Sequence, residues 1–212
     1  MSIQHAISQL SALITKIEDH TGTSAIQVPK QQKQSKIVSP KIELPPLITA
    51  FSKCEIRVSQ IVECTRVDYS DKLLVCKLKV SETEIRDFAA GVGPWYSPEE
   101  LLNKKIVTIL NLKARPMAEG RIISQAMLFA GSSADHSVVK LCFPDQSIPV
   151  GTRVLPEGYT ELPEAEGQPK KNFDKVLDVL KSKNREMTMD GVRLLANGKS
   201  ISVNVEDGFS LG

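Results

Sequence analysis

Ser97-Pro98-Glu99-Glu100-Leu101-Leu102 is the stretch on which the fold turns. A serine ahead of a proline and two acids starts a helix. Its hydroxyl can take a free backbone N–H, the proline ring pre-sets the first helical residue, and the carboxylates lie at the positive end. Working outward, the chain before it carries three strand-like runs. Residues 55–66 place Ile56, Val58 and Val62 mostly in alternation with polar residues, Asp71-Lys72 opens residues 73–80, and residues 84–92 make the third. After it come strand-like runs at 105–112, 122–130 and 138–143. A short helix between the third and fourth strands of a five-stranded run is the order of an OB-fold barrel, so the predicted class is mainly β.

The flanks differ from this centre. Ile3, Ile7, Leu10, Ile14 and Ile17 alternate spacings of four and three, the d, a, d, a, d of a heptad pattern on a short helix. Two heptads are too few for a stable free coiled coil. The helix is read with equal weight as docking on its own domain and as a handle for a partner or a second copy. Residues 21–48 read as a flexible linker with Pro29, Pro40, Pro45 and Pro46, in which Lys30, Lys33, Lys36 and Lys41 face only Glu43. Past the barrel, Phe173, Val176, Leu177 and Leu180 share one helical face over residues 173–181. Strand-like pieces follow at 187–189 and 201–205, with turns at Asp190-Gly191 and Asn197-Gly198. This last unit is too small to own a core and should pack on the barrel as a small α/β extension. The expected organisation is a helix over 1–20, the linker over 21–48, the barrel over 49–155 and the extension over 156–212.

Composition bounds the chemistry. The 212 residues, 41% hydrophobic and 25% charged, describe an ordinary soluble protein, and a formal charge of +2 does not by itself announce a polyanion ligand. No apolar run approaches membrane-spanning length and the start lacks a signal-peptide pattern, so a cytoplasmic protein with no membrane partner is expected. Cys54, Cys64, Cys76 and Cys142 include no C-x-x-C pair, and Cys76 and Cys142 sit in apolar strand patterns. Buried thiols in a reducing compartment are the better reading than zinc or a disulfide framework. His5, His20 and His136 are scattered. No metal, cofactor or catalytic constellation emerges, and no enzyme is expected.

One segment suggests a ligand. Residues 111–127 carry Lys113, Arg115 and Arg121 in a loop between strands, followed by Ser124 and Met127. Cations on the rim of a small sheet, backed by polar and soft apolar side chains, suit an extended polyanion that also presents flat bases. On local features alone a solvated hairpin loop ranks ahead of this reading. Ser124 and Met127 have opposite parity on one strand, so both can face outward only across a bulge. By pattern, Met127 is core. Trp95, after Gly93-Pro94, is read as sealing the barrel end, and Arg57 as a solvated surface charge.

In order along the chain, Cys54-Glu55-Ile56-Arg57-Val58-Ser59-Gln60-Ile61-Val62, Asp71-Lys72-Leu73-Leu74-Val75, Ala90-Gly91-Val92, Asn111-Leu112-Lys113 and Ser124-Gln125-Ala126-Met127 resemble the tRNA-binding domain of the endothelial monocyte-activating polypeptide II type. Gln168-Pro169-Lys170-Lys171 with the following helix and the Gly191 and Gly198 turns is similar to the C-terminal extension of its eukaryotic subgroup. The resemblance covers residues 51–212. It implies an OB-fold that binds tRNA by shape and backbone, as a free-standing cofactor of aminoacyl-tRNA synthetases or as an appended synthetase domain. It also implies that the extension imitates the second subunit of dimeric bacterial relatives, and self-association through the extension or the N-terminal helix is the alternative. Asn111, Lys113, Ser124 and Met127 match RNA-binding positions of the family. Arg115 and Arg121 are added from chemistry, since guanidinium forks grip phosphates in pairs, and Lys72 as part of a basic rim. Lys170 and Lys171 match the basic start of the extension.

Two departures stand out. Where the family has a His-Pro-x-Ala-Asp turn, this chain has Val67-Asp68-Tyr69-Ser70-Asp71. Gly120 and Arg121 stand in swapped order before Ser124, beside an acid, Glu119. The peptide associated with cytokine activity in animal members is poorly matched at residues 57–63, so no such role is carried over. The expected function is a non-catalytic cofactor that delivers or concentrates tRNA, with broad specificity, for one or more synthetases. A general single-strand nucleic-acid OB module and a scaffold acting through its N-terminal helix are the rivals.

Overall fold

A computed structural model of the chain describes residues 44–212. The helix expected over 1–20, with Ile3, Ile7, Leu10, Ile14 and Ile17, lies outside the described residues, as does the linker up to residue 43. Its last residues are not linker-like: α1 (Pro46–Ser52) begins there, with proline in its first turn and Ile48 and Phe51 buried.

The central sheet is built on β1 (Ile56–Val67), which pairs antiparallel with β2 (Ser70–Lys79) and, on its other side, with β4 (Lys105–Ile109). β3 (Ile85–Ala90) extends it beyond β2, and β7 (Met127–Leu128) beyond β4, giving the order β3-β2-β1-β4-β7. Both faces are apolar where β1 and β4 cross the middle, which explains the unbroken run Ile106-Val107-Thr108-Ile109-Leu110. Ile106 and Leu110 face a core with Ile61, Leu74, Leu78, Phe88 and Leu128, while Val107 and Ile109 face a second with Ile56, Val58 and Phe129. The polar pair among them is satisfied internally, Ser59 and Thr108 sharing a hydroxyl–hydroxyl bond of 2.7 Å.

Helix α2 (Pro98–Leu101) sits between β3 and β4 as its start signal predicts. Ser97 Oγ accepts the Glu100 N–H, and the Glu100 carboxylate accepts the Ser97 N–H, at 3.3 and 2.7 Å. Leu101 is buried beneath it, and Trp95 packs at this end with its indole N–H donating to Ser137 O at 3.3 Å.

The run 122–130, expected as one strand, is broken into β6 (Ile122–Ser124), β7 and β8 (Ala130–Ser132). β6 pairs with β5 (Arg115–Met117) in a separate two-stranded ribbon. The break lies at Gln125-Ala126, where the chain reaches the far edge of the sheet. Gln125 N–H donates to Asp87 O at 2.9 Å, the Asp87 N–H donates to Gln125 Oε1 at 3.0 Å, and the Ala89 N–H donates to Ser124 Oγ at 3.1 Å. These bonds draw β3 toward the β7 side and curl the sheet around its inner core. The run expected at 105–112 stops at Ile109, because Asn111 turns the chain away.

The extension joins this framework by hydrogen bonds as well as by packing. β9 (Val139–Leu141) and β10 (Val154–Pro156) precede α3 (Lys170–Leu177), which starts and stops earlier than its apolar pattern suggests, leaving Leu180 to open β11 (Leu180–Lys183). Then come β12 (Glu186–Met189), β13 (Val192–Ala196), β14 (Lys199–Ser200) and β15 (Ser210–Leu211). The second sheet runs β10-β13-β12-β11-β15-β8-β9, with β14 paired to β13. Both predicted turns are hairpins with positive φ at Asp190, Gly191, Asn197 and Gly198, as such tight connections require. Phe173, Val176, Met187, Met189 and Leu194 complete the core begun by Ile56, Val58 and Phe129, and Phe173 meets Phe129 edge-on with ring centroids 6.2 Å apart. The extension shares the core on the outer face of the curled sheet.

Candidate nucleic-acid interface

Asn111 organises one corner of the molecule. Its Oδ1 accepts the Glu55 N–H at 2.9 Å, and its Nδ2 donates to Lys53 O at 2.9 Å and Gly167 O at 3.0 Å. One half-buried amide thus ties the entry of β1 to the segment that leads into α3. Leu112 packs on the shared core, so Lys113 is turned out to solvent. Lys170 and Lys171, in the first turn of α3, follow Gly167 by three and four residues. That turn has no acid and no side-chain cap. Two cations at the positive end of a helix are unfavourable for the fold, by about 0.3–1 kcal/mol each, and favourable for an anion.

From this corner the chain enters the β5–β6 ribbon, in register Arg115↔Ser124, Pro116↔Ile123 and Met117↔Ile122. Arg115 is exposed. At the tip, Gly120 N–H donates to Met117 O at 3.1 Å, closing a turn in which Ala118 (φ 50), Glu119 (φ 57) and Gly120 (φ 86) are all left-handed. Holding Ala118 and Glu119 there costs roughly 1–2 kcal/mol per residue. Arg121 follows, its guanidinium 4.7 Å from the centre of the Tyr69 ring on the β1–β2 turn. Lys72, exposed near the start of β2, stands beside that turn.

What joins these cations is their placement along the corner, the ribbon and the β1–β2 turn. None of them has a carboxylate partner among the described residues, a property they share with Lys53, Arg66, Lys104 and Lys140 elsewhere. The salt bridges among the described residues use Arg57, Lys77, Lys79, Arg86, Arg153, Arg193 and Lys199. Lys72, Lys113, Arg115, Arg121, Lys170 and Lys171 take part in none of them. Arg57 is no free surface charge: it binds Glu55 and Glu164 and donates to Gly151 O. Acids share the rim as well, Asp68, Asp71 and Glu119 being exposed.

Ser124 and Met127 are placed differently from the cations. Ser124 is buried, its hydroxyl engaged with Ala89 and with Ala126 O at 3.0 Å, so it holds the sheet closure. Met127 is half-buried against the shared core. The bulge that would turn both outward is present as a break, and it turns neither fully out. Tyr69 is the residue that sequence reasoning misses, because it stands inside a turn of which only Asp71 matches the family pattern. It is 43% exposed, with Arg121 against its ring and the exposed Asp68 and Asp71 beside it.

The thiols follow their surroundings. Burial pushes Cys54 up to about 12 and raises Cys142 as well. Cys64 and Cys76 oppose each other across β1 and β2, where the Cys76 thiol donates to Cys64 Sγ at 2.8 Å and so lowers the Cys64 pKa. Among the described residues no His, Cys, Asp or Glu group is arranged to hold a metal, and no helix is long and apolar enough to cross a membrane.

Residues 56–153 match the family model described as a putative tRNA binding domain. A methionine–tRNA ligase of Caldanaerobacter subterraneus subsp. tengcongensis is 38% identical over 146 residues, covering 69% of this chain and 20% of that protein. A methionine–tRNA ligase of Leptospira interrogans is 36% identical over 149 residues, covering 67% and 20%. The chain therefore spans about a fifth of the length of these relatives. Among solved structures, the C-terminal domain of Plasmodium vivax p43 shares the fold, with a TM-score of 0.69 at 23% identity, covering 76% of this chain and 98% of that one.

Proposed function

We propose, on the premise that residues 56–153 of this chain belong to the putative tRNA-binding domain family, that the protein is a non-catalytic tRNA-binding cofactor. The curled sheet is read as an OB-fold barrel whose basic rim grips the phosphate backbone with little regard to sequence. The observation that carries this reading is the succession of exposed cations along the β1–β2 turn and the ribbon, Lys72, Lys113, Arg115 and Arg121, continued by Lys170 and Lys171 across the Asn111 corner, none of them held by a carboxylate of the described residues. Cations left unpaired by the fold keep their full attraction for phosphate. Asn111 and Ser124 contribute by positioning, the first holding the corner and the second the ribbon.

The partners are one or more aminoacyl-tRNA synthetases in the cytoplasm, reached through the N-terminal segment carrying Ile3, Ile7, Leu10, Ile14 and Ile17. Joining a modest RNA site to a synthetase contact raises the local tRNA concentration without new chemistry. Self-association through that segment or the extension is the alternative assembly.

The test is tRNA binding by the wild type and by a Lys113→Glu, Arg115→Glu variant across a salt series. Wild-type affinity should fall steeply with salt, and the variant should bind at least about tenfold more weakly with a log–log slope shallower by about two. Unchanged affinity and slope would remove the ribbon from the interface. A general single-strand module is the second reading, favoured by the exposed Tyr69 ring. Competition decides: under the cofactor reading an unstructured oligonucleotide displaces folded tRNA poorly.

A further inference from the structure

The β1–β2 turn and the tip of the β5–β6 ribbon do not pack flush. Between them lies an open cleft of about 330 Å³ lined by Tyr69, Ser70, Leu73, Ala118, Glu119 and Arg121. That size is at the small end of ligand-binding clefts. Its chemistry is uneven in an informative way. Leu73 is buried and makes an apolar floor, Tyr69 offers an aromatic face, and a guanidinium and a carboxylate stand at the rim. A phosphate alone has no use for the ring or the leucine, and Glu119 repels it. A flat heterocycle does use them, because stacking on an aromatic face is available to every base.

We propose that this cleft seats one unpaired nucleobase bearing an exocyclic amine. The proposal rests on the RNA-binding reading of the same face and adds a base-contacting subsite to it. The base stacks on Tyr69 over the Leu73 floor, Arg121 moves from the ring to the adjoining phosphate, and Glu119 accepts a hydrogen bond from the amine. A carboxylate is the acceptor suited to cytosine N4, and adenine N6 offers the same donor. Uracil presents a carbonyl there and is disfavoured. Two features of the ribbon tip fit this role. Ala118 and Glu119 are held in left-handed backbone, a conformation that places Glu119 at the cleft and is retained at functional sites at a cost in stability. Arg121 already lies against the ring, so the cation that would leave for phosphate is in place. Glu119, a defect in a surface that binds only phosphate, becomes the selective group.

The experiment uses the full chain and an unstructured RNA of about ten nucleotides carrying one central 2-aminopurine, with a fully paired RNA of the same length and folded tRNA as controls. Fluorescence of the 2-aminopurine should be quenched by the wild type and by Tyr69→Phe, and not by Tyr69→Ala. Tyr69→Ala should weaken binding of the unstructured RNA by roughly tenfold to a hundredfold, and leave the paired RNA within about twofold. Glu119→Gln should keep the quenching but narrow the preference for adenine- and cytosine-containing oligonucleotides over uracil-containing ones. Thermal unfolding of each variant should match the wild type, since Tyr69 and Glu119 are exposed. Equal quenching by wild type and Tyr69→Ala, or equal losses on unstructured and paired RNA, overturns the subsite. Wild-type binding of tRNA without any quenching of the unstructured RNA also overturns it and leaves the phosphate-binding reading standing. Failure of the wild type to bind any of the three RNAs overturns both.

Discussion

Asn111 and Ser124 illustrate how a polar residue of a proposed binding region can be committed to the fold instead. Asn111 commits both functional groups to backbone, at Glu55, Lys53 and Gly167, within a half-buried corner. Replacing it by alanine leaves the Glu55 N–H and two carbonyls short of partners, a loss of about 1–3 kcal/mol in chemical denaturation. The same change should loosen the approach to α3 and weaken tRNA binding with no loss of charge. Asn111→Asp separates the contributions: it keeps the acceptor for Glu55 and sets a carboxylate against two carbonyl oxygens. It should be no more stable than alanine, and wild-type stability in both variants would show that the corner is held by other contacts. The position of Asn111 is legible in the sequence as part of an ordered set of motifs. Its bonding is not, because Gly167 lies 56 residues away and nothing local marks it as a partner.

Strand boundaries show where periodicity loses its power. The centre of the sheet is readable because β1 and β4 are apolar and bounded by turn residues, and α2 because its capping box is local. Residues 122–130 look like one strand because Ser124-Gln125-Ala126 contains no glycine or proline to mark the break. What breaks it is a distant edge, β3, whose Asp87 and Ala89 groups take the bonds a continuing ladder would use. The strands of the extension are hard to read for a related reason. β14 and β15 have two residues each, too few for an alternation to register. Yet β15 is the seam of the second sheet, pairing Leu211 with Gly131 and Ser210 with Ser132 of β8. Gly131 is needed there for space, since a Cβ would stand 2.9 Å from Val205, 3.0 Å from Val203 and 3.2 Å from Leu211. Gly131→Ala should therefore cost about 1–3 kcal/mol by overpacking. Hydrogen exchange should show the loss first in β15 and β11. A variant as stable as the wild type, with unchanged protection at Leu211, would mean that the seam yields freely.

At the scale of the whole molecule, the described part of the chain has two large sheets and a two-stranded ribbon but no separable halves. The outer face of the curled sheet presents Ile56, Val58, Val107, Ile109 and Phe129, each essentially inaccessible to solvent, and their partners are Phe173, Val176, Met187, Met189 and Leu194. The family model ends at residue 153, which makes a fragment without the extension the natural piece to isolate, and packing argues against it. Uncovering five such side chains forfeits roughly 8–15 kcal/mol at about 1.5–3 kcal/mol each. That equals the whole stability of a typical domain, about 5–15 kcal/mol. A chain truncated after Leu162 should then be expressed as an aggregate or as an expanded species without a cooperative transition, whereas residues 44–212 should unfold in one step followed by calorimetry. A soluble 44–162 fragment with a sharp transition would mean that the curled sheet rearranges to hide its outer face. Such a fragment would also lack Lys170 and Lys171. Its tRNA affinity would then measure how much of the grip belongs to the rim formed by Lys72, Lys113, Arg115 and Arg121 alone.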